Sequence, residues 1–456
     1  MRRTAPLVAL TARTAGEAIV VGLRGKLTGA DSGEFRARTA ERYAELLGNS
    51  KGALMKAGQM LSFVPVGPAV PAEFQSAYQA ALARLRNDAP PMAPELARTV
   101  LERELGRSAE SAFAEFNWDP LAAASIGQVH AARTHDGRAV AVKIQYPGVA
   151  AAIDADLKNN ELLVTFIRLL FGLAPVKVSL NLRGTAQEMR SRITEELDYR
   201  LEAANQAEFA ELYRGHPFIH IPEVISELCA GRVLTQELVE GKAWSEAIAA
   251  EQQLRDSWAE AIFRFFYDSY HRGTCNIDPH PGNYIFHDDG SVSFLDFGCV
   301  KRFGHEQLES LNTVIRACLR GDVGGTWQAS VEGGFFRSAD SVTPEEVFEY
   351  WRIPHEQYWG EQPFTITPEY VAAHIERRYG PTGPSGNAYR HMVVPTDFTL
   401  MSRADIGLWS VIAGLGASNH WGSMAAEHFE GEAPFTAMGK LDRAFFEQHE
   451  AAPSHA

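Results

Sequence analysis

Cysteine is scarce in this 456-residue chain: only Cys229, Cys275, Cys299 and Cys318 occur. No two of them form a C-x-x-C pair, which argues against a zinc site, and their placement does not suggest a disulfide framework. They read as reduced thiols of a cytosolic protein. Long apolar runs are also missing. The longest, 162–173 and 406–415, fall short of the ~20 residues that a bilayer-spanning helix needs, and Arg168 interrupts the first. The basic start leads into an apolar stretch broken at Thr11, Arg13 and Glu17, so no signal peptide is expected. The expectation is a cytoplasmic protein, soluble or at most peripheral to a membrane. Excess positive charge is lacking too: 57 acidic residues stand against 43 basic ones, a net charge of −14. Broad nucleic-acid binding needs clustered Lys and Arg, so no nucleic-acid partner is expected. A nucleotide cofactor is still compatible, because one Lys and a metal can neutralise a triphosphate locally.

What is present is ordinary globular composition, 45% apolar, in a chain long enough for one bilobal domain or two to three smaller ones. Residues 1–115 read as helical, with Pro94 at the N-terminal turn of a helix that runs to Leu105 and stops at Gly106. The texture changes near residue 120. Gln128 to Thr134 and Ala139 to Ile144 flank Asp136-Gly137, a strong hairpin signal. Residues 150–172 and 184–213 read as helical, Pro222–Ile225 and Arg232–Val239 as strands, and 243–272 as helical. A second hairpin joins Asn283–Phe286 to Val292–Leu295 across Asp288-Asp289-Gly290. From 304 onward the chain is mainly helical. This order suits an α+β protein: a helical segment over 1–115, a strand-rich part over 116–240 and a helical part over 241–456, with a ligand cleft between parts.

The chemistry concentrates on the two hairpins. Asp278-Pro-His-Pro-Gly-Asn283 precedes one strand of the second hairpin, and Asp296-Phe-Gly298 follows the other. The hairpin therefore brings two carboxylates and an amide together. Such oxygen ligands suit Mg²⁺, which takes few protein ligands and completes its shell with phosphates and water. The ordered set matches a kinase catalytic loop and metal-binding turn, whereas Asp-Phe-Gly alone is a common tripeptide and the isolated residues could be loop caps. On the first hairpin, Val140-Ala-Val-Lys143 puts a lysine among apolar neighbours, where it needs a charge partner or an exposed edge. A kinase lysine in this setting binds phosphates and pairs with a helix glutamate. A helical segment 59 residues on offers Glu195, Glu196, Asp198 and Glu202. Before the hairpin's lysine strand, Ala122-Ala123-Ala124-Ser125-Ile126-Gly127-Gln128-Val129-His130 stands where a kinase has a Gly-rich loop over the phosphates; a tight turn would look the same. Arg232–Gly241 reads as a strand leaving into an interlobe linker whose Glu237 carbonyl and Val239 amide would meet adenine, or else as an ordinary strand. His271, His280 and His287 flank the Asp278 loop without metal-site spacing and read as structural or solvent-facing.

Together with Lys56-Ala-Gly-Gln59, Val142-Lys-Ile-Gln-Tyr-Pro-Gly148 and Glu196-Leu-Asp198-Tyr, these motifs resemble the UbiB/AarF family of atypical kinases over about 45–303, and more loosely to about 425. The resemblance implies a bilobal protein-kinase-like fold whose helical N-terminal extension lies across the cleft, with ATP and Mg²⁺ as cofactors. It implies that Lys56 pairs with Glu196 and Asp198, that Gln59 sits near the phosphates, and that Glu202 pairs with Lys143. Asp278 would be the catalytic-loop aspartate, and Asn283 and Asp296 would hold Mg²⁺. Two departures bear on protein phosphorylation: Asn276-Ile277 replaces the kinase His-Arg before Asp278, and no Ala-Pro-Glu follows Asp-Phe-Gly. The leading expectation is an ATP-dependent ATPase or small-molecule kinase tied by family association to isoprenoid quinone or other lipid metabolism, with a lipid or quinone precursor as a candidate ligand. A Ser/Thr protein kinase and a nucleotide-switched, non-catalytic binding module are the alternatives.

Overall fold

The computed structural model describes residues 92–124, 126–151, 153, 187, 190–191, 193–337, 342–379, 385–393, 395, 398 and 401–451. Lys56, Gln59 and Ser125 lie outside them. Helix α1 (Pro94–Leu105) begins at Pro94, whose missing N–H is no loss in a first turn, and ends at Gly106 with a left-handed φ of 68°. Helix α2 (Ala109–Ala112) is capped by Ser108. Then come β1 (Glu115–Phe116), β2 (Ala122–Ala123), β3 (Gly127–Arg133) and β4 (Ala139–Gln145), followed by α3 (Tyr199–Leu212), β5 (Ile219–His220) and β6 (Val233–Glu237). These make a five-stranded antiparallel sheet in the order β1-β3-β4-β6, with β2 also on β3. Alternation along β4 decides its two faces. Val140, Val142 and Ile144 are fully buried and pack with Ala97, Val100 and Leu101 of α1, so Lys143 must point the other way.

The second part is built on α4 (Trp244–Ala247) and α5 (Gln252–His271), followed by β7 (Thr274–Asn276), β8 (Tyr284–Phe286), β9 (Val292–Phe294) and β10 (Val300–Arg302). β8 and β9 form the expected antiparallel hairpin, and β5 adds to β9 in parallel. β10 pairs with β7, which closes the Asp278 loop and the Asp296 turn into one unit. The helices α6 (His305–Leu319), α7 (Val323–Glu332), α8 (Pro344–Arg352) and α9 (Glu356–Trp359) follow. Strand β11 (Phe364–Thr365), α10 (Pro368–Tyr379), α11 (Gly386–His391), α12 (Met401–Leu415), β12 (Ser418–Asn419), α13 (Trp421–Glu430) and α14 (Ala437–Ala451) complete the described chain. Helix α5 buries nearly every residue from Trp258 to Tyr270, as a helix at the centre of a large core must. Its one fully buried cation, Arg264, is compensated by Glu260 at 2.9 Å and Glu427 at 3.1 Å, which ties α5 to α13.

Three expectations change. Residues 222–225 are not a strand: Val224 makes a single bridge to Gln236, and Pro222, with no N–H to give, offers its carbonyl to the Gln206 side chain. The helix expected over 184–213 breaks at 196–198, because Asp198 turns its carboxylate onto the Arg200 amide and starts α3 afresh. The helix expected over 243–272 is likewise two, α4 and α5.

Candidate functional site

The Lys143 side chain is 15% exposed and that of Glu202 only 3%. The ammonium Nζ donates to both Glu202 oxygens, at 2.9 and 3.1 Å, and lies 3.4 Å from Asp296 Oδ2. The break at 196–198 makes this meeting possible. It is held to the sheet by Gln145 Nε2, which donates to the Leu197 carbonyl at 3.1 Å, and by the Tyr199 amide, which donates to the Gly231 carbonyl at 3.1 Å. With α3 starting there, Tyr199 and Glu202 stand three residues apart on one helix face. The Tyr199 ring centroid is 5.0 Å from Nζ, within cation–π range.

The electrostatics follow from three charges in contact, Glu202 buried, Lys143 nearly so and Asp296 half-buried. Burial pushes the Glu202 carboxyl up to about 7; Lys143 opposes that rise and Asp296 adds to it. Burial works against the Lys143 ammonium, but the Asp296 and Glu202 carboxylates outweigh it and hold the group well above its usual value. The two directions pull against each other, since one favours a neutral acid and the other a charged base. The two hydrogen bonds from Nζ to the Glu202 oxygens favour the ionised pair.

The second hairpin delivers the oxygen donors. The Leu295 amide donates to the Asn283 carbonyl at 2.9 Å, and the Gly298 amide donates to Asp296 Oδ1 at 2.9 Å. Asn283 Nδ2 donates to the Asp278 carbonyl at 3.1 Å, so its amide oxygen remains as a candidate ligand atom. Asp278, Asn283 and Asp296 line one small cavity whose apolar side includes Ile262, Phe265 and Leu408. One carboxylate and one amide oxygen beside a buried lysine fit a Mg²⁺–phosphate ligand, which asks the protein for one or two oxygens only. Asn276, noted in the sequence only as a departure, staples the unit: its Nδ2 donates to the Asp296 carbonyl at 2.7 Å and its Oδ1 accepts from the Asp278 amide at 3.2 Å. Only the fold reveals that role.

The Ala-rich segment is a hairpin. Ala122 and Ala123 pair with Val129 and Gln128, and the Ala124 amide donates to the Gly127 carbonyl at 2.9 Å. Ala123 is exposed and Ala124 half-buried. Gly127 has no room for a side chain: a Cβ would collide with the Ile144 carbonyl oxygen and stand 3.0 Å from the Tyr199 hydroxyl. Gln128 is not brought to this face. It pairs with Ile144 across the hairpin, is 1% exposed, and accepts from the Met92 amide at 2.7 Å while contacting His130. Two-residue alternation puts it on the face opposite Lys143. Glu237 ends β6 with its amide on the Glu223 carbonyl, and Val239 lies half-buried just beyond. Of the flanking histidines, His280 Nδ1 accepts from the Gly282 amide and His287 Nε2 meets Ser293 Oγ, both local contacts, and His271 lies half-buried against Tyr270 and Phe429.

The chain is similar to known proteins. Residues 84–330 match the family described as ABC1 atypical kinase-like domain. The mitochondrial atypical kinase COQ8B of Rattus norvegicus is 33% identical over 285 residues, which cover 62% of this chain and 52% of that protein. The mitochondrial atypical kinase COQ8 of Saccharomyces cerevisiae is 29% identical over 309 residues, 67% of this chain and 60% of that protein. The chain thus spans about half the length of the curated relatives it matches. The solved Rv3197–erythromycin complex from Mycobacterium tuberculosis superposes with a TM-score of 0.62 at 31% identity, covering 89% of this chain and 98% of the other. The described fold is accordingly α+β and protein-kinase-like, and the chain belongs to the UbiB/AarF family of ABC1 atypical kinase-like proteins.

Proposed function

We propose that this protein is a Mg²⁺-dependent, ATP-binding UbiB-type enzyme, an ATPase or small-molecule kinase that serves isoprenoid quinone or other lipid metabolism. The observation that carries the reading is the convergence of the buried Lys143–Glu202 pair with Asp296, Asn283 and Asp278. Lys143, oriented by Glu202, would hold the α- and β-phosphates. Asn283 and Asp296 would hold Mg²⁺, which when bound neutralises phosphate charge. Asp278 would accept the proton of an attacking water or hydroxyl. The hairpin from Ala123 to Gly127, with Ser125, would cover the phosphates, while Glu237 and Val239 would border adenine. In this reading residues 1–115 would be the helical extension that carries Lys56 and Gln59, and 116–240 and 241–456 would be the two lobes.

The quinone link rests on the family resemblance, and the erythromycin complex of the mycobacterial relative adds support for a small-molecule ligand. Contact with a membrane surface would be peripheral: among the described residues no helix is long and apolar enough to cross a bilayer. The test is nucleotide binding and hydrolysis with and without Mg²⁺, then with lipid vesicles or a phenolic quinone-precursor mimic. Slow hydrolysis that rises with the lipid or phenol supports the reading. Phosphorylation of protein substrates, enhanced by removing residues 1–60, would turn it toward a protein kinase. Binding without turnover under every condition would replace it with a nucleotide-switched module.

A further inference from the structure

The apolar run 406–415, too short to span a membrane, lies outside the matched residues 84–330. In the fold it is the core of α12. Ile406, Leu408, Trp409, Val411, Ile412, Ala413 and Leu415 are all buried, and the helix packs along α5, α10 and the Asp278 loop. A glycine inside such a helix is costly, since it surrenders more backbone entropy than alanine and fills no space. Gly407 is buried in mid-helix, and its neighbour explains the exception. A Cβ on Gly407 would stand 2.8 Å from Pro279 Cγ and 3.3 Å from the Pro279 carbonyl oxygen. Pro279 follows Asp278 directly. Leu408, the next residue of α12, lines the same cavity as Asp278, Asn283 and Asp296.

We propose that α12 is the rear support of the catalytic loop and that Gly407 is a positioning residue, whose missing side chain lets the helix backbone seat Pro279 and so place Asp278 and Asn283. The loop is fixed in front by Asn276 and by the Ile277 amide on the Cys299 carbonyl at 3.0 Å. Contact with α12 fixes it from behind. An added methyl must push Pro279 forward or lift the helix, because close-packed interiors do not absorb a methyl without displacement. The proposal rests on the reading of Asp278 and Asn283 as the nucleotide-processing groups.

The test is Gly407→Ala in the full chain, read by Tm, by amide hydrogen exchange over 276–284, and by kcat, KM and the Mg²⁺ dependence of ATP hydrolysis. Helix propensity alone would make alanine raise Tm. The expected result is the reverse: a lower Tm, faster exchange in the loop, and a kcat reduced at least tenfold while KM changes less than threefold. Pro279→Ala added to Gly407→Ala removes the ring atoms that the methyl meets, and it should recover part of the kcat. Alanine that raises Tm and leaves exchange and kcat at wild-type values would overturn the proposal, as would a double variant no better than Gly407→Ala alone. If the wild-type protein neither binds nor hydrolyses ATP, the functional reading fails instead, and faster loop exchange in Gly407→Ala would still identify the support.

Discussion

Replacing Glu202 by glutamine keeps the shape of the side chain and removes its charge. The carboxylate now takes two hydrogen bonds from Lys143, at 2.9 and 3.1 Å, in a site where the side chains are 15% and 3% exposed. Glutamine retains one acceptor oxygen, so one charge-assisted bond is lost, worth about 1.5–3 kcal/mol. Asp296 still faces the ammonium at 3.4 Å, so the loss should stay below the roughly 3–5 kcal/mol of a buried pair stripped of one partner. Expressed as misplacement of Lys143 in the transition state, it corresponds to a roughly 10- to 100-fold fall in ATP turnover. Stability should move much less, by about 1 kcal/mol or under, because a neutral amide also escapes the desolvation that pushes the Glu202 carboxyl up to about 7.

The same carboxyl sets a pH signature. As pH falls through about 7, Glu202 takes up a proton and releases Lys143, so wild-type turnover should decline on the acid side. In Glu202→Gln that limb should be absent. Steady-state hydrolysis across pH 5.5–8.5 (a range chosen to bracket the usual histidine and carboxyl titrations), alongside urea denaturation, measures both effects. Turnover within twofold of wild type together with an unchanged acid limb would refute the role of the pair.

Asp296→Asn preserves the acceptor for the Gly298 amide but removes the charge offered to a cation; Mg²⁺-dependent nucleotide binding should vanish with the circular dichroism spectrum intact, and normal turnover would remove Asp296 from the metal role. Gly127→Ala drives a methyl into the Ile144 carbonyl and toward the Tyr199 hydroxyl; urea denaturation should show a loss of about 1–3 kcal/mol with weaker nucleotide affinity, and wild-type values for both would mean that the hairpin can open freely. Tyr199→Phe removes a buried hydroxyl with no hydrogen-bond partner among the described residues and keeps the ring over Lys143; stability should hold or rise by up to about 1 kcal/mol, and a clear loss in urea would reveal a partner the hydroxyl depends on.

Much of the site was legible because it is local. The run from Asp278 to Asn283 and the Asp296-Phe-Gly298 turn flank one hairpin, and hairpin geometry alone brings their ends together. Lys143 was legible for a similar reason, as a cation alternating with buried Val142 and Ile144 on a strand. Gln128 was misplaced because its face depends on the register of β3 against β4. The five residues 134–138 joining the strands decide that register, and it sets Gln128 opposite Ile144. Counting alternation back from Lys143 through that pairing would have sent Gln128 into the core. Tyr199 enters the sequence reading only as the end of a motif, Asn276 only as a departure and Gly407 not at all, because the partners Lys143, Asp296 and Pro279 are distant in the sequence.

By itself, then, the sequence determined the donors and acceptors and their assembly wherever a single turn brings them together. It offered four carboxylates to Lys143, at Glu195, Glu196, Asp198 and Glu202, and only the family resemblance chose among them. Tertiary structure supplies the physical ground for that choice. Asp198 is consumed as the cap of α3, the break ahead of it is tied to the sheet through Gln145 and Gly231, and α3 therefore starts where Glu202 comes up one turn later on the face that meets the lysine. Pairing across 59 residues depends on where a helix begins and what it packs against, which are properties of the packed chain and of no segment within it.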